Sequence, residues 1–292
     1  MLTEDLKRQL SGLRRGQPDP REAPVRAREL AATTPRGGSS DLATCFPEGA
    51  FCATSHGEVF ACRVPLSAVV SHAEQLTEWY RRAFLRARRL QEEETLPRFL
   101  GPMAEAEPES TVLIDTETTG FQGRPLFLIG LVQWGAEGLE VVQYFARDYA
   151  QEPALLAQLS GLLPETKLLV SFNGKAFDWP FVRDRMVYHR LSYTEEFTHL
   201  DLLHPSRRQW RARLPNCRLQ TLERYLSGRY RSGDIPSAEI PQRYHDFVRE
   251  QDARLISPIF HHNRLDLITM IEIMIALVAT PPERESTHAA GR

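Results

Sequence analysis

Three strand-type runs stand side by side at Thr111–Asp115, Leu126–Trp134 and Leu139–Ala146, the last two joined by a turn at Gly135–Gly138. Helical periodicity begins only afterwards, at Glu152–Leu163. From there strands and helices alternate: a strand at Lys167–Phe172, a helix near 179–190, a short apolar run at His199–Leu203, then helices over 219–227, 240–250 and 258–278. Three adjacent strands followed by strand–helix alternation predict an α/β fold, a mixed β-sheet flanked by helices. No internal repeat is visible.

The segment before Thr111 predicts less. Residues 1–40 are rich in Pro, Arg, Gly and Ala and read as a flexible leader. Residues 41–108 form a small N-terminal extension: a hairpin over 50–66 turning at His56-Gly57, a helix over 74–100 and a linker from Gly101 to Ser110. The helix carries Arg81, Arg82, Arg86, Arg88 and Arg89, which read as a solvated face rather than a phosphate-contacting one. The main domain spans 109–279, and residues 280–292 read as a disordered tail.

Composition excludes some classes. No apolar run reaches the ~18 residues of a membrane span, and Met1–Gly16 lacks the apolar core of a secretory signal, so a cytoplasmic protein with no membrane partner is expected. The formal charge of −2 counts only weakly against nucleic-acid binding, because clustered carboxylates offset basic residues elsewhere. Cys45, Cys52, His56 and Cys62 lie close in sequence, but without a C-x-x-C pair they predict ordinary part-buried thiols rather than a zinc site.

Three acidic signals carry the chemistry. In VLIDTETTG at 112–120, Asp115 and Glu117 leave the same face of an extended chain, before Thr118, Thr119 and Gly120 turn it. Two carboxylates so placed repel unless a cation lies between them. In FNGKAFDWPF at 172–181, a strand runs into the Asn173-Gly174 turn, and Asp178 opens a helix just before Trp179-Pro180. In HHNRLDLITM at 261–270, His262 and Asp266 are four apart on a helix and share a face, whereas His261 points aside. Read singly, each has a plain structural explanation: exposed acids before a turn, an Asp N-cap, a capping box begun by Asn263. Their occurrence together and in order favours one site.

These segments resemble the exonuclease motifs of the DEDD superfamily, and FNGKAFDWPF is similar to the form in proofreading domains of family B DNA polymerases. The stretch 110–278 resembles the YprB-type ribonuclease H-like family more closely, through FLIG at 127–130, FNGKAFD at 172–178, HLDLLHPSRRQW at 199–210, GDIPSAEIP at 233–241 and HNRLD at 262–266. The resemblance implies a ribonuclease H-like fold and 3′→5′ exonuclease activity by metal-dependent phosphodiester hydrolysis. It implies two Mg²⁺ or Mn²⁺ ions on Asp115, Glu117, Asp178 and Asp266, hard oxygen ligands suited to those metals. A histidine near the last aspartate would take the proton of the attacking water. His262 shares the Asp266 face, while His261 holds the spacing usual for a histidine in such enzymes, and both stay candidates.

Substrate contacts are expected from Thr118, Asn173, Lys175 and Phe177, and Asp201 is either part of the site or a buried structural acid. Arg207, Arg208, Arg211 and Arg213 with Trp210 read equally as a strand-binding surface with a stacking aromatic or as a solvated helix face. The expected partner is DNA or RNA, single-stranded or with a free 3′ end. A non-catalytic nucleic-acid-binding module and a ribonuclease H-type endonuclease are the alternatives on the same fold.

Overall fold

The computed structural model describes residues 41–120 and 124–279; the expected leader and tail lie outside them. Among the described residues seven strands form one sheet: β1 (Gly49–Thr54), β2 (Gly57–Pro65), β3 (Thr111–Thr118), β4 (Leu126–Gly135), β5 (Gly138–Phe145), β6 (Leu168–Ser171) and β7 (Thr198–Asp201), in the order β1-β2-β5-β4-β3-β6-β7. β3, β4 and β5 pair antiparallel, as their short connections require, whereas β6 and β7, each reached through a helical crossover, run parallel to β3. The mixed direction expected from the strand spacing is therefore present. The hairpin expected around His56-Gly57 also forms, with Gly57 at φ 113, and β2 pairs antiparallel with β5, so the extension continues the same sheet.

The central strands are almost continuously apolar because both faces are covered: Leu113 and Leu128 to Leu131 are buried together with Val141 and Val142. The covering helices are α1 (Leu42–Cys45), α2 (Ala73–Glu92), α3 (Gly101–Glu105), α4 (Glu152–Leu162), α5 (Asp178–Tyr188), α6 (Leu203–Trp210), α7 (Leu219–Ser227), α8 (Ile240–Glu250) and α9 (Ser257–Ala279). The last, α9, lies against β3 and β4 and packs on α2 and α7. Although α9 is long, no helix among the described residues is both long and apolar enough to cross a membrane.

Three expectations are corrected here. The helix expected over 74–100 stops at Glu92, because Glu94 takes a left-handed φ of 54 and Pro97 supplies no amide donor. The expected linker 101–110 instead contains α3 and a 3-10 turn, tied down by buried Leu100, Met103 and Pro108. Trp210 is only 2% exposed, so it is a core residue of α6 and cannot stack on a base; Arg207, Arg208, Arg211 and Arg213 do lie on the exposed side.

The arginines of α2 are largely occupied as expected of a solvated face: Arg82 pairs with Glu78 at 2.6 Å, Arg81 with Glu109 at 3.3 Å and Arg88 with Glu107 at 2.6 Å. Cys62 lies against Glu48 and Arg264, its thiol pushed up to about 12 by burial.

Candidate active site

The site forms where β3, the turn after β6 and the first half of α9 meet. Asp115 and Glu117 project from β3 just before its register slips between Glu117 and Thr118. The slip ends regular pairing at the point where the chain must turn. Thr118 serves that turn, its hydroxyl donating to the Gly120 carbonyl at 2.7 Å.

After β6 the chain reverses through Asn173, at a left-handed φ of 66, and Gly174. A Cβ on Gly174 would lie 2.5 Å from Ser171 Oγ and 3.0 Å from Asp178 Oδ2, so only glycine lets this turn close over Asp178. Asp201 fastens the same turn from the end of β7. Its carboxylate accepts from the backbone N–H groups of Asn173 at 2.8 Å, Lys175 at 3.1 Å and Leu203 at 3.0 Å. All three of those contacts go to backbone, while the charge of Asp201 also bears on Asp178. Asp178 opens α5 without capping it and instead accepts from Thr116 Oγ1 at 2.6 Å. Lys175 and Phe177 stand exposed on the turn, Phe177 at 65%.

α9 contributes His262, Asn263 and Asp266. Asn263 is not a cap: the helix begins at Ser257, and Asn263 is wholly buried. Its Nδ2 donates to Asp115 Oδ2 at 2.8 Å, and its Oδ1 accepts from Gln143 Nε2 at 2.8 Å. Gly130, opposite Asp115 on β4, makes this approach possible, since a Cβ there would lie 1.9 Å from Asn263 Oδ1. The glycine of the FLIG phrase thus clears the space in which the helix reaches Asp115.

Asp115 and Glu117 feel the charges of the other acids. Burial pushes Asp115 well above the usual carboxylate range, and the charges of Asp266, Glu117 and Asp178 push it further, against one hydrogen bond from Asn263. Glu117 is pushed up to about 8, by burial first and by Asp266 and Asp178, with His262 opposing. Burial likewise raises Asp178 and Asp266. Elevation by burial, with like charges added at Asp115 and Glu117, marks carboxylates crowded into low dielectric.

An imidazole and a guanidinium reach the cluster. His262 is 3% exposed, with Nδ1 at 2.8 Å from Asp234 Oδ1 and Nε2 at 3.5 Å from Asp266 Oδ2. Burial alone would lower its pKa, but the Asp234 hydrogen bond and the charges of Asp266, Asp234 and Glu117 outweigh that and raise it. Arg231 sets Nη2 2.6 Å from Asp266 Oδ1, Nη1 3.3 Å from Asp234 Oδ2 and Nε 2.5 Å from Glu223 Oε2. The Nη2 approach to Asp266 is a close ion pair rather than an aligned hydrogen bond. His261 is half-buried, and the charges acting on it are those of Asp234, Arg264, Arg231 and His262.

The structure therefore brings Asp115, Glu117, Asp178, Asp266 and His262 together and leaves His261 beside them. Sequence reasoning missed Arg231, Asp234, Asn263 as an Asp115 ligand, and Thr116. Asp234 was visible only as part of GDIPSAEIP, and no periodicity singles out Arg231. Among the described residues no three His, Cys, Asp or Glu side chains stand grouped as ligands of a single metal ion. That applies to the cysteine-rich stretch as well as to this cluster.

Residues 112–278 match the family model RNase_H_2, described as the RNase_H superfamily. A curated relative, the "Uncharacterized protein YprB" of Bacillus subtilis (strain 168), is 35% identical over 166 residues, which is 55% of this chain and 40% of that protein. The chain thus spans well under half the length of that relative. Among solved structures, the family B DNA polymerase from the hyperthermophilic archaeon Pyrobaculum calidifontis is similar over 56% of this chain and 23% of that one, at 14% identity and a TM-score of 0.44.

Proposed function

Because this chain belongs to the RNase_H superfamily, we propose that it is a nuclease, a 3′→5′ exonuclease that hydrolyses phosphodiester bonds at a metal-dependent site. One observation supports the reading: Asp115, Glu117, Asp178 and Asp266 face one half-buried site, where desolvation raises the proton affinity of all four and neighbouring acids raise Asp115 and Glu117 further. That unbalanced negative charge, made only of hard oxygen donors, fits Mg²⁺ or Mn²⁺. When bound, two such ions supply Lewis-acid charge and lower the pKa of the attacking water.

The chain's own residues do the rest. Asp115, Glu117, Asp178 and Asp266 would hold the ions. Asn263 and Thr116 aim two of those carboxylates through the bonds already described. His262 accepts the water's proton at Nε2, the nitrogen that Asp234 leaves unoccupied. Exposed Phe177 offers a face for the terminal base, and Asn173 and Lys175 lie on the same turn for the phosphate or terminal hydroxyl. The substrate is DNA or RNA, single-stranded or with a free 3′ end.

A non-catalytic nucleic-acid-binding module is the second reading. It is favoured by the Arg231–Asp266 ion pair, which engages one of the four acids, and by the lack of a ready-grouped ligand set among the described residues. End-labelled single- and double-stranded DNA and RNA, incubated with Mn²⁺, separate the two. Ladders shortening from the 3′ end in wild type and absent in Asp115→Ala support the exonuclease; binding without cleavage supports the module. A thermal shift with Mn²⁺ that is the same in Asp115→Ala as in wild type would remove the metal site itself.

A further inference from the structure

Asp234 is assigned to neither ion; it bonds to His262 and Arg231, and its charge bears on Glu117. We infer that Asp234 is a positioning residue that fixes the ring of His262, and that Arg231 is the clamp holding Asp234 and Asp266 in one frame. This role deepens the hydrolytic reading above and rests on it for its kinetic consequence.

An imidazole buried among carboxylates has two ring orientations and two neutral tautomers. If its proton sat on Nε2, the most favourable partner would be Asp266 Oδ2, and the lone pair needed to accept a proton would face away from the acids. Asp234 decides against that state. At 2.8 Å from Nδ1, against 3.5 Å from Nε2 to Asp266, it is the nearer acceptor and takes the ring proton. Nε2 is then left bare towards Glu117 and Asp266. The same logic orients histidines beside metals and in hydrolase dyads, where a carboxylate on one nitrogen sets what the other can do.

The position of Asp234 is built with care. Gly233, at a left-handed φ of 75, turns the chain inward just before it. Arg231 then engages Asp234 and Asp266 from one guanidinium, whose rigid fork fixes their separation in a way a lysine could not. The guanidinium is anchored by Glu223 of α7, only 1% exposed, which also holds Arg229 at 2.7 Å. Arg229 in turn binds Glu272 of α9 at 2.5 Å. An alternating chain of charges therefore ties the loop carrying Asp234 to the helix carrying His262 at two separate heights. Buried ion networks contribute little net stability compared with apolar packing. Their effect here is to set geometry.

The test uses the full chain with Asp234→Asn and Asp234→Glu, read in three ways: turnover of an end-labelled oligonucleotide, Mn²⁺ affinity by calorimetry, and the low-field proton NMR signal of the His262 ring N–H, assigned by its loss in His262→Ala. In Asp234→Asn, kcat is expected to fall roughly 10²-fold, by analogy with other misoriented histidines. KM and Mn²⁺ affinity stay within about threefold, as when only a transition-state interaction is lost. The low-field signal disappears, and Asp234→Glu restores part of kcat.

A low-field signal that persists in Asp234→Asn overturns the inference. So does a kcat unchanged in that variant, or a joint loss of kcat, metal affinity and thermal stability with no rescue by Glu. If wild type cleaves nothing, the nuclease reading fails on its own, and the NMR signal alone still decides whether Asp234 orients the ring. If Asp234→Asn does not fold, Arg231→Lys carries the test: a lowered kcat with Mn²⁺ affinity kept supports the clamp, and an unchanged kcat overturns it.

Discussion

Gly130→Ala is the sharpest way to test how the last helix reaches Asp115. The added Cβ would lie 1.9 Å from Asn263 Oδ1 and 2.6 Å from its Cγ and Nδ2. Asn263 is wholly buried, and its amide is bonded to Gln143 on one side and to Asp115 on the other. It has no free rotamer to retreat into without breaking those bonds. Overpacking of this kind costs about 1–3 kcal/mol, and leaving a buried partner unsatisfied costs about another 1–3. A loss of about 3 kcal/mol corresponds to a fall in Tm of about 6–12 °C for a domain of this size.

Asn263→Ala alone loses less, about 2 kcal/mol by the same measure of an unmade buried bond, because Gln143 keeps its bond to the Phe260 carbonyl at 2.9 Å. In the double variant the new methyl occupies the space the amide vacated, so the two effects are strongly non-additive. Thermal melts of wild type, both singles and the double form the cycle. Additivity to within about 0.5 kcal/mol would refute the claim that the glycine exists to admit Asn263.

Two further outcomes follow from the electrostatics. Glu117 titrates near 8 in the folded chain against an ordinary 4.5, and its three companions are shifted in the same direction. A folded pKa above the unfolded one gives stability that is complete below the unfolded value and is lost as pH rises through the folded value. Metal-free protein should therefore melt at lower temperature as pH rises from about 4.5 to above 8, while Mn²⁺ binding strengthens over the same span by displacing protons; a melting temperature independent of pH, with the same profile in Glu117→Gln, would contradict this. Away from the site, Glu152 is 1% exposed and accepts from the Leu126 amide, Arg185 and His189, so Glu152→Ala strands a buried charge. It should cost about 3–5 kcal/mol in denaturant melts with Mn²⁺ affinity unchanged, and a loss below about 1 kcal/mol would show the pair to be solvated.

Much of the fold was legible because its signals are local. Strand runs with short connections, the turn residues Asn173-Gly174 and the apolar length of α9 each declare themselves within a dozen residues. The acids were legible for the same reason: D-x-E on a strand and Asp266 a turn beyond His262 are spacing patterns. What sequence did not disclose depends on contacts between distant segments. Arg231 looks like any surface arginine until Glu223 and Asp266 close around it. Asn263 has a plain reading as a helix cap until Gly130 is seen opposite it and Asp115 within its reach. Trp210, in a basic stretch, suggested a stacking surface, but its neighbours at α6 bury it, a tertiary outcome no composition rule anticipates. The end of α2 was misjudged because apolar spacing continued past the residues where backbone geometry stops the helix.

The order in which the pocket is completed has a consequence for a chain still being made. Asn263 follows Asp115 by 148 positions and belongs to the last described helix. At ~5–20 residues per second, a ribosome delivers the strand with its two acids several seconds before it delivers the partners that dehydrate and orient them. Through that interval the carboxylates of β3 sit in water with ordinary acidity and nothing to aim them. Until the last described helix docks, Asp115 lacks the Asn263 amide that orients it, a delay written into chain order.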